Sequence, residues 1–247
     1  MAETKIEWTD KTWNPITGCT KLSDGCTHCY AEVMARRLKA MGQKKYINGF
    51  QLTMHEEDLK EPYIWKGSQN VFVCSMADLF HKDVPFKFID KLMNVIIDTP
   101  QHRYQILTKR AERMEEYFKD RTVPDNAWLG VTVENKKMKY RIDYLSAIDA
   151  KIHFLSCEPL LEDLGELKLE NIQWIIVGGE SGVQARPMKE EWVLNIKAQA
   201  HVNNIPFFFK QWGTWGQDGV KRNKKVNGKL LQGEIVQELP SQSLIKK

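Results

Sequence analysis

An α/β fold on a parallel sheet, arranged as a partial or full β/α (TIM-like) barrel or as an open doubly wound sheet, is predicted from three observations. Short continuous apolar runs recur along the chain, and strands buried on both faces read this way. Amphipathic stretches of helical period separate them. The 247 residues fit one large domain, and α/β barrels commonly run to this length.

The elements follow in order. Residues 11–17 are the candidate first strand, ahead of a cysteine-rich loop. Tyr30 to Met41 predicts a helix, with Val33, Met34, Leu38 and Met41 on one face and Gly42 as the stop. Residues 43–69 are charged and carry Pro62, and read as an irregular insertion or lid. "NVFVCSM" (Asn70 to Met76) is a strand, and Pro85 to Asp98 a helix with proline in its first turn, a favoured place for it. Strand and helix then alternate: Tyr104 to Thr108, Lys109 to Lys119, Ala127 to Val133, Asn135 to Ala147, then strands Lys151 to Cys157 and Gln173 to Gly179. Helix Glu190 to Asn203 and strand Pro206 to Trp212 complete seven strands. The domain reading is a single barrel over 1–247, with the lid around 43–69 and a basic C-terminal tail around 217–247.

Composition narrows the function classes. With 42% hydrophobic and 28% charged residues the chain is ordinarily globular, which argues against disorder. The N-terminus has no apolar signal-peptide core, and no apolar run approaches the ~20 residues of a membrane span, so a cytoplasmic location is expected. A net charge of +4 permits a nucleic-acid partner without requiring one. The basic run from Val220 to Lys229 also holds Gly and Asn, and reads as a solvated loop.

Three of the five cysteines lie within eleven residues, Cys19, Cys26 and Cys29, spaced C-x6-C-x2-C. In a reducing compartment such clustering favours metal binding over disulfides. Soft thiolates suit iron–sulfur clusters and zinc. Structural zinc wants four ligands in a closed tetrahedron, and no fourth cysteine is near. His28, Cys74 and Cys157 are the alternatives for a fourth ligand. Three thiolates can instead hold a [4Fe–4S] cluster and leave one iron open.

Ligands of parallel α/β sheets gather at the carboxyl ends of the strands. The residues there are Ser75, Met76 and Asp78; Thr108 and Lys109; Glu134 and Asn135; Cys157 and Glu158; Gly178, Gly179 and Glu180; and Lys210, Gln211 and Trp212. Asp78 is equally read as an N-cap or turn aspartate. Pro159 holds Glu158 extended. The glycines of "VGGESG" permit close backbone approach, to a ligand or within a tight turn. No G-x-S-x-G occurs, so a serine hydrolase is unsupported.

The cysteine segment resembles the radical S-adenosylmethionine (radical SAM) superfamily, whose usual spacing is C-x3-C-x2-C after the first barrel strand. More closely, the chain resembles an uncharacterised, phage-associated family of radical-SAM-like proteins. That resemblance runs nearly end to end, on "WNPITGC", "GCTHCYAE", "SMADLFH", "YQILTKR", "WLGVTVEN", "FLSCEPLL", "IIVGGESG", "ARPM" and "PFFFKQWG". The first spacing here is x6, and His28 stands before the third cysteine where an aromatic is usual. The resemblance implies that Cys19, Cys26 and Cys29 ligate three irons of a [4Fe–4S] cluster. The fourth iron binds S-adenosylmethionine, which is reductively cleaved to a 5′-deoxyadenosyl radical. It further implies cofactor contacts from Tyr30, Ser75, Asp78, Lys109 (with Arg110 as its neighbouring alternative), Thr132, Glu134 and Glu158. Gly178, Gly179, Glu180, Lys210, Gln211 and Trp212 become the substrate-facing set.

The function expected is therefore a radical-SAM-type enzyme acting on a nucleic-acid base or nucleotide, in modification or repair, fed by an electron donor such as flavodoxin or ferredoxin. A base within a duplex must be flipped out or supplied single-stranded to reach a buried radical. The alternative is a zinc-stabilised nucleic-acid-binding module without catalysis.

Overall fold

Valine, isoleucine and aromatic residues concentrate in the short apolar runs, and each run forms a strand. The computed structural model describes Thr4 and residues 6–240. Its main strands are β1 (Lys11–Trp13), β4 (Asn70–Val73), β5 (Arg103–Thr108), β6 (Ala127–Thr132), β7 (His153–Cys157), β8 (Trp174–Gly178) and β9 (Phe207–Gln211). Two short strands, β2 (Ile16–Thr17) and β3 (Thr53–Met54), pair antiparallel with each other. The seven main strands form one sheet in the order β1-β4-β5-β6-β7-β8-β9, with β1 and β9 as its edges. This is an α/β parallel sheet in the partial rather than the closed form of the expected barrel.

By contact density the described chain falls into two units. Within the described residues, one runs up to Leu22 and adds Cys29–Gly130 and Ile148–Ala150; the other comprises Ser23–His28, Val131–Ala147 and the stretch from Lys151 to residue 240.

In the first unit β1 pairs with β4 and β4 with β5, all parallel, with Trp13 opposite Val73 and Val73 opposite Ile106. The candidate first strand over 11–17 is interrupted. Proline has no N–H for a ladder, and Pro15 separates β1 from β2. The strand expected to reach Met76 ends at Val73, because Cys74 turns into the left-handed region at φ 56°. Asn14 Oδ1 accepts the Met76 N–H and the Ser75 hydroxyl there, both at 3.1 Å. Helix α2 (Phe86–Asp98) buries Phe88, Ile89, Leu92, Met93, Val95 and Ile96, a stripe at helical spacing. Each such side chain contributes about 1.5–3 kcal/mol by leaving water. Residues 43–69, expected to be irregular, hold β3 and two 3₁₀ segments, Lys44–Tyr46 and Glu56–Ile64. Trp13 Nε1 donates to the Asp58 carbonyl at 2.8 Å and ties the second segment to β1.

Helix α1 (Tyr30–Ala40) forms where expected but packs on another face. Ala31 and Ala35, one turn apart, are buried with Tyr46 and Met76, and Leu38 packs against them. Val33, Met34 and Met41 lie in solvent at 49%, 42% and 72% exposure. Small residues allow close approach of the helix, so the alanine stripe outcompetes the larger apolar one. Helix α3 (Ala111–Phe118) starts two residues later than expected, since the Lys109 and Arg110 N–H groups bond to Asp78 and Thr108 side chains.

In the second unit β7 pairs with β8 and β8 with β9, again parallel, with a register shift between Val177 and Gly178. Every residue of β7 and β8 is buried. The expected helix over 135–147 divides into a 3₁₀ turn (Lys136–Met138) and α4 (Tyr140–Ser146). Helix α5 (Glu190–Val202) buries Val193, Ile196 and Ala200. The segment after the basic run folds back on β9. The Phe209 N–H donates to the Val236 carbonyl at 2.7 Å, and Trp212 Nε1 to the Leu230 carbonyl at 2.8 Å. Lys221, Lys224 and Lys225 of that run stay exposed. Residues 241–247 of the expected tail lie outside the described residues. Among the described residues no helix is long and apolar enough to cross a membrane.

Candidate metal and cofactor site

The cysteines fall into two classes by environment. Cys19, Cys26 and Cys29 are half-buried; Cys74 and Cys157 are wholly buried, and burial pushes both of those thiols well above the usual range. None of the five forms a disulfide. His28, an alternative fourth ligand, directs Nδ1 at Glu180 Oε2, 3.2 Å away. Among the described residues no three His, Cys, Asp or Glu side chains converge as ligands of one ion. In a cubane cluster each thiolate binds a separate iron, so such convergence is not needed. Three thiolates from one short loop are a soft donor set, of the kind that suits an iron–sulfur cluster or zinc.

In the first unit the backbone positions Cys19 closely. Gly18 sits at φ 81°, where a Cβ would lie 2.2 Å from the Gln51 carbonyl oxygen, so only glycine admits this approach. The Gly18 N–H donates to Met76 O at 3.0 Å and the Cys19 N–H to Phe50 O at 3.2 Å. A cleft of about 610 Å³ opens beside Cys19, with Thr20, Arg36, Phe50 and His81 in its wall. Asp78 lies nearby but is fully engaged. Oδ1 accepts the Thr108 hydroxyl at 2.7 Å and the Phe80 N–H at 3.0 Å; Oδ2 accepts the Lys109 N–H at 3.1 Å and Arg110 Nη1 at 2.9 Å. Four donors fill the lone-pair sites of a carboxylate. This is the turn-aspartate geometry. Arg110 is held charged: burial opposes it, but Asp78 and Cys19 outweigh burial. Tyr30 donates its hydroxyl to the Ser75 carbonyl and places the start of α1 against the end of β4.

In the second unit the segment Ser23–His28, with Cys26, is anchored from two strand ends, those of β6 and β8. Glu134, past β6, accepts the Ser23 hydroxyl on Oε1 and Arg141 Nη1 on Oε2 at 2.8 Å, and neither Glu134 nor Arg141 is exposed. Arg141 Nη1 also donates to the Thr132 carbonyl at 2.7 Å. Asn135 Nδ2 donates to Asp24 Oδ2 at 3.1 Å, while its buried Oδ1 has no hydrogen-bond partner. Glu180, past β8, is clamped by Arg186 through Nη2 at 2.6 Å, Nε at 2.9 Å and the backbone N–H at 2.8 Å. Burial works to raise the Glu180 carboxyl, but these bonds and the His28 contact outweigh it and hold it below the usual carboxylate range. Arg186 Nη2 continues to the Asp24 carbonyl at 3.0 Å.

Glu158 pairs with Lys210 at 2.9 Å, and both side chains are partly accessible. Gly178 makes room for this: a Cβ there would stand 2.5 Å from Glu158 Oε1. A Cβ on Gly179 would stand 1.9 Å from the Trp212 carbonyl oxygen, so this glycine serves the approach of β8 to β9. Gln211 Nε2 donates to the Ser181 hydroxyl at 3.1 Å. Trp212 is a core residue at 2% exposure, edge-on to Phe209, and does not present its indole at the rim.

Within units, then, the structure brings Asp78 together with Thr108, Lys109 and Arg110. It also groups Glu134 with Ser23, Glu180 with His28, and Glu158 with Gly178 and Lys210. In sequence Arg110 stands out only as a neighbour of Lys109, and Arg141 carries no local signal of its role. For Arg186 the string "ARPM" is the sequence signal.

A comparison with curated proteins finds no match. Among solved structures the chain is similar to spore photoproduct lyase complexed with dinucleoside spore photoproduct, at 12% identity and a TM-score of 0.48, over 76% of this chain and 60% of that one. It is likewise similar to a mutant of that lyase with bound AdoMet and dinucleoside spore photoproduct, at 12% identity and a TM-score of 0.45, over 68% of this chain and 55% of the other. The chain therefore spans about 60% of the length of the first of these structures. Residues 3–240 match the family described as "Protein of unknown function (DUF5131)", and the chain belongs to that family.

Proposed function

We propose that this protein is a radical-SAM-type enzyme in which Cys19, Cys26 and Cys29 hold a [4Fe–4S] cluster. The observation that carries the reading is the division of the cysteines. Three half-buried thiols share one short loop, while Cys74 and Cys157 are sealed in the core. A cluster held there supplies reductive cleavage of S-adenosylmethionine to a 5′-deoxyadenosyl radical. The chain's own residues position the loop. Gly18 permits its close approach to Gln51, Arg110 and Asp78 fix the stretch around Cys19, and Glu134, Asn135, Glu180 and Arg186 hold the stretch around Cys26. Ser75 and Tyr30 at the end of β4, Lys109 past β5, Thr132 at the end of β6 and Glu158 past β7 are the proposed cofactor contacts. Asp78 and Glu134 serve them as anchors of the loop.

The substrate class in this reading is a nucleic-acid base or nucleotide. Exposed Tyr140 and Tyr144, edge to face at 6.2 Å, follow exposed Lys136 and Lys137 directly after Asn135. Aromatic faces beside lysines are the usual means of holding single-stranded nucleic acid. Lys210 and Gln211 are the proposed substrate-facing side chains, and Gly178 gives the Glu158–Lys210 pair its room, while Glu180 serves as an anchor of the loop. A low-potential protein such as flavodoxin or ferredoxin is the proposed electron source.

The test is anaerobic reconstitution with iron and sulfide, then reduction with dithionite in the presence of S-adenosylmethionine and assay for 5′-deoxyadenosine. Product is expected from the wild type and absent from Cys19→Ala, Cys26→Ala and Cys29→Ala. Stoichiometric zinc without cleavage would sink the reading in favour of a zinc-stabilised binding module.

A further inference from the structure

We propose that Arg110 is a positioning residue that donates a hydrogen bond to the Cys19 sulfur and thereby raises the reduction potential of the cluster Cys19 ligates; this rests on the cluster reading above. Arg110 Nη1 stands 3.6 Å from Cys19 Sγ and 2.9 Å from Asp78 Oδ2. Its Nη2 donates to the Thr20 carbonyl and hydroxyl oxygens, both at 3.1 Å. The guanidinium thus grips the residue next to Cys19 with one nitrogen and faces the sulfur with the other.

Both anchors are themselves fixed. Asp78 is held by Phe80, Thr108 and Lys109, as described above. The Thr20 hydroxyl also bonds to His81 Nε2 at 2.8 Å, and His81 is fully buried. His81 Nδ1 accepts the Asp83 N–H at 3.2 Å, so the ring proton sits on Nε2 and is donated to Thr20. Asp83, His81, Thr20, Arg110, Asp78 and Thr108 form one connected chain of hydrogen bonds. Arg110 cannot swing from the sulfur without breaking it. The side chain is 11% exposed, so solvent screens the contact little.

Hydrogen bonds and positive charge at the thiolate sulfurs favour the more negative, reduced form of a cluster and raise its potential. Arginine suits this role better than lysine, because its planar fork serves Asp78, Thr20 and Cys19 at once and keeps its charge. Cys26 Sγ, by contrast, meets the Ser23 hydroxyl at 3.9 Å.

The experiment is a redox titration of the reconstituted full-length protein, followed by electron paramagnetic resonance, on wild type, Arg110→Gln, Arg110→Lys and Thr20→Val. Arg110→Gln is expected to disfavour reduction by about tenfold, a shift of about 59 mV to lower potential for one electron. Arg110→Lys recovers part of that shift. Thr20→Val changes no charge but loosens the fork, and gives a smaller shift of the same sign. Normal cluster content with an unchanged midpoint in all three variants overturns the inference and leaves the cluster reading standing. If Arg110→Gln fails to hold a cluster, an unchanged midpoint in Arg110→Lys and Thr20→Val overturns it equally. A wild type that assembles no cluster overturns both.

Discussion

Glu134 and Arg141 form an ion pair at 2.8 Å in which neither side chain reaches solvent. The two lie seven residues apart, one past the end of β6 and one in α4, and the pair anchors Ser23 of the cysteine loop. Among the described residues Arg141 Nε and Nη2 are buried without hydrogen-bond partners, and Glu134 and the Thr132 carbonyl are the acceptors that meet its Nη1.

Removing one partner leaves the other charge buried alone. Arg141→Met is expected to cost about 3–5 kcal/mol, and the double variant Glu134→Gln, Arg141→Met less than the single. Urea denaturation of the three proteins measures both. A double variant no more stable than Arg141→Met would show that the uncompensated charge is not the main cost.

Gly178→Ala and Gly179→Ala, neighbours in sequence, are expected to fail in different ways. The new methyl at 178 meets the end of a flexible side chain, Glu158 Oε1. That carboxylate swings away, the Lys210 pair breaks, and stability changes by less than about 1 kcal/mol, as for a partly exposed ion pair. The methyl at 179 meets the Trp212 backbone, which cannot swing. Overpacking there is expected to cost about 1–3 kcal/mol or more. Thermal unfolding separates them, and equal losses would refute the assignment.

Alkylation should divide the cysteines as burial does. In the folded protein without metal, iodoacetamide is expected to modify Cys19, Cys26 and Cys29, and to reach Cys74 and Cys157 only after denaturation. Peptide mass spectrometry reads the sites directly. Rapid native labelling of Cys157 would contradict the buried β7.

Glu180 gives stability an acid limb. Its folded carboxyl titrates below the unfolded value of about 4.3, so its contribution is complete above that value. The contribution is lost as pH falls through the lower, folded value. Between pH 7 and 3, Glu180→Gln should flatten the pH dependence of the urea midpoint. A variant whose midpoint falls with acid as steeply as the wild type would exclude this source.

How much was legible in the sequence differs from element to element. Runs such as "QWIIVGG" are continuous apolar stretches, and β8 lies within that one, buried at every residue. Helix α2 reads off its spacing because its apolar side chains are large and regularly placed. Helix α1 shows where pattern fails. Val33, Met34 and Met41 have the right period, yet the closer-packing alanines take the inner face. Nothing local distinguishes two stripes on one helix, because the choice belongs to Tyr46 and Met76, which pack against one of them.

The sequence by itself determined the order of strands and helices, the positions of the rim residues and the division of three loop cysteines from two at strand ends, since each depends on neighbours within a few residues. Tertiary structure alone decided what the rim residues do. Asp78 is filled by Thr108 and Arg110, Glu134 by Ser23 and Arg141, and Glu180 by His28 and Arg186. Several of those partners lie 30 to 152 residues away. A carboxylate at a strand end looks the same in sequence whether its lone pairs face a ligand or the protein's own donors. Burial makes an unpartnered charge costly, and only the folded chain shows which donors arrive to meet it.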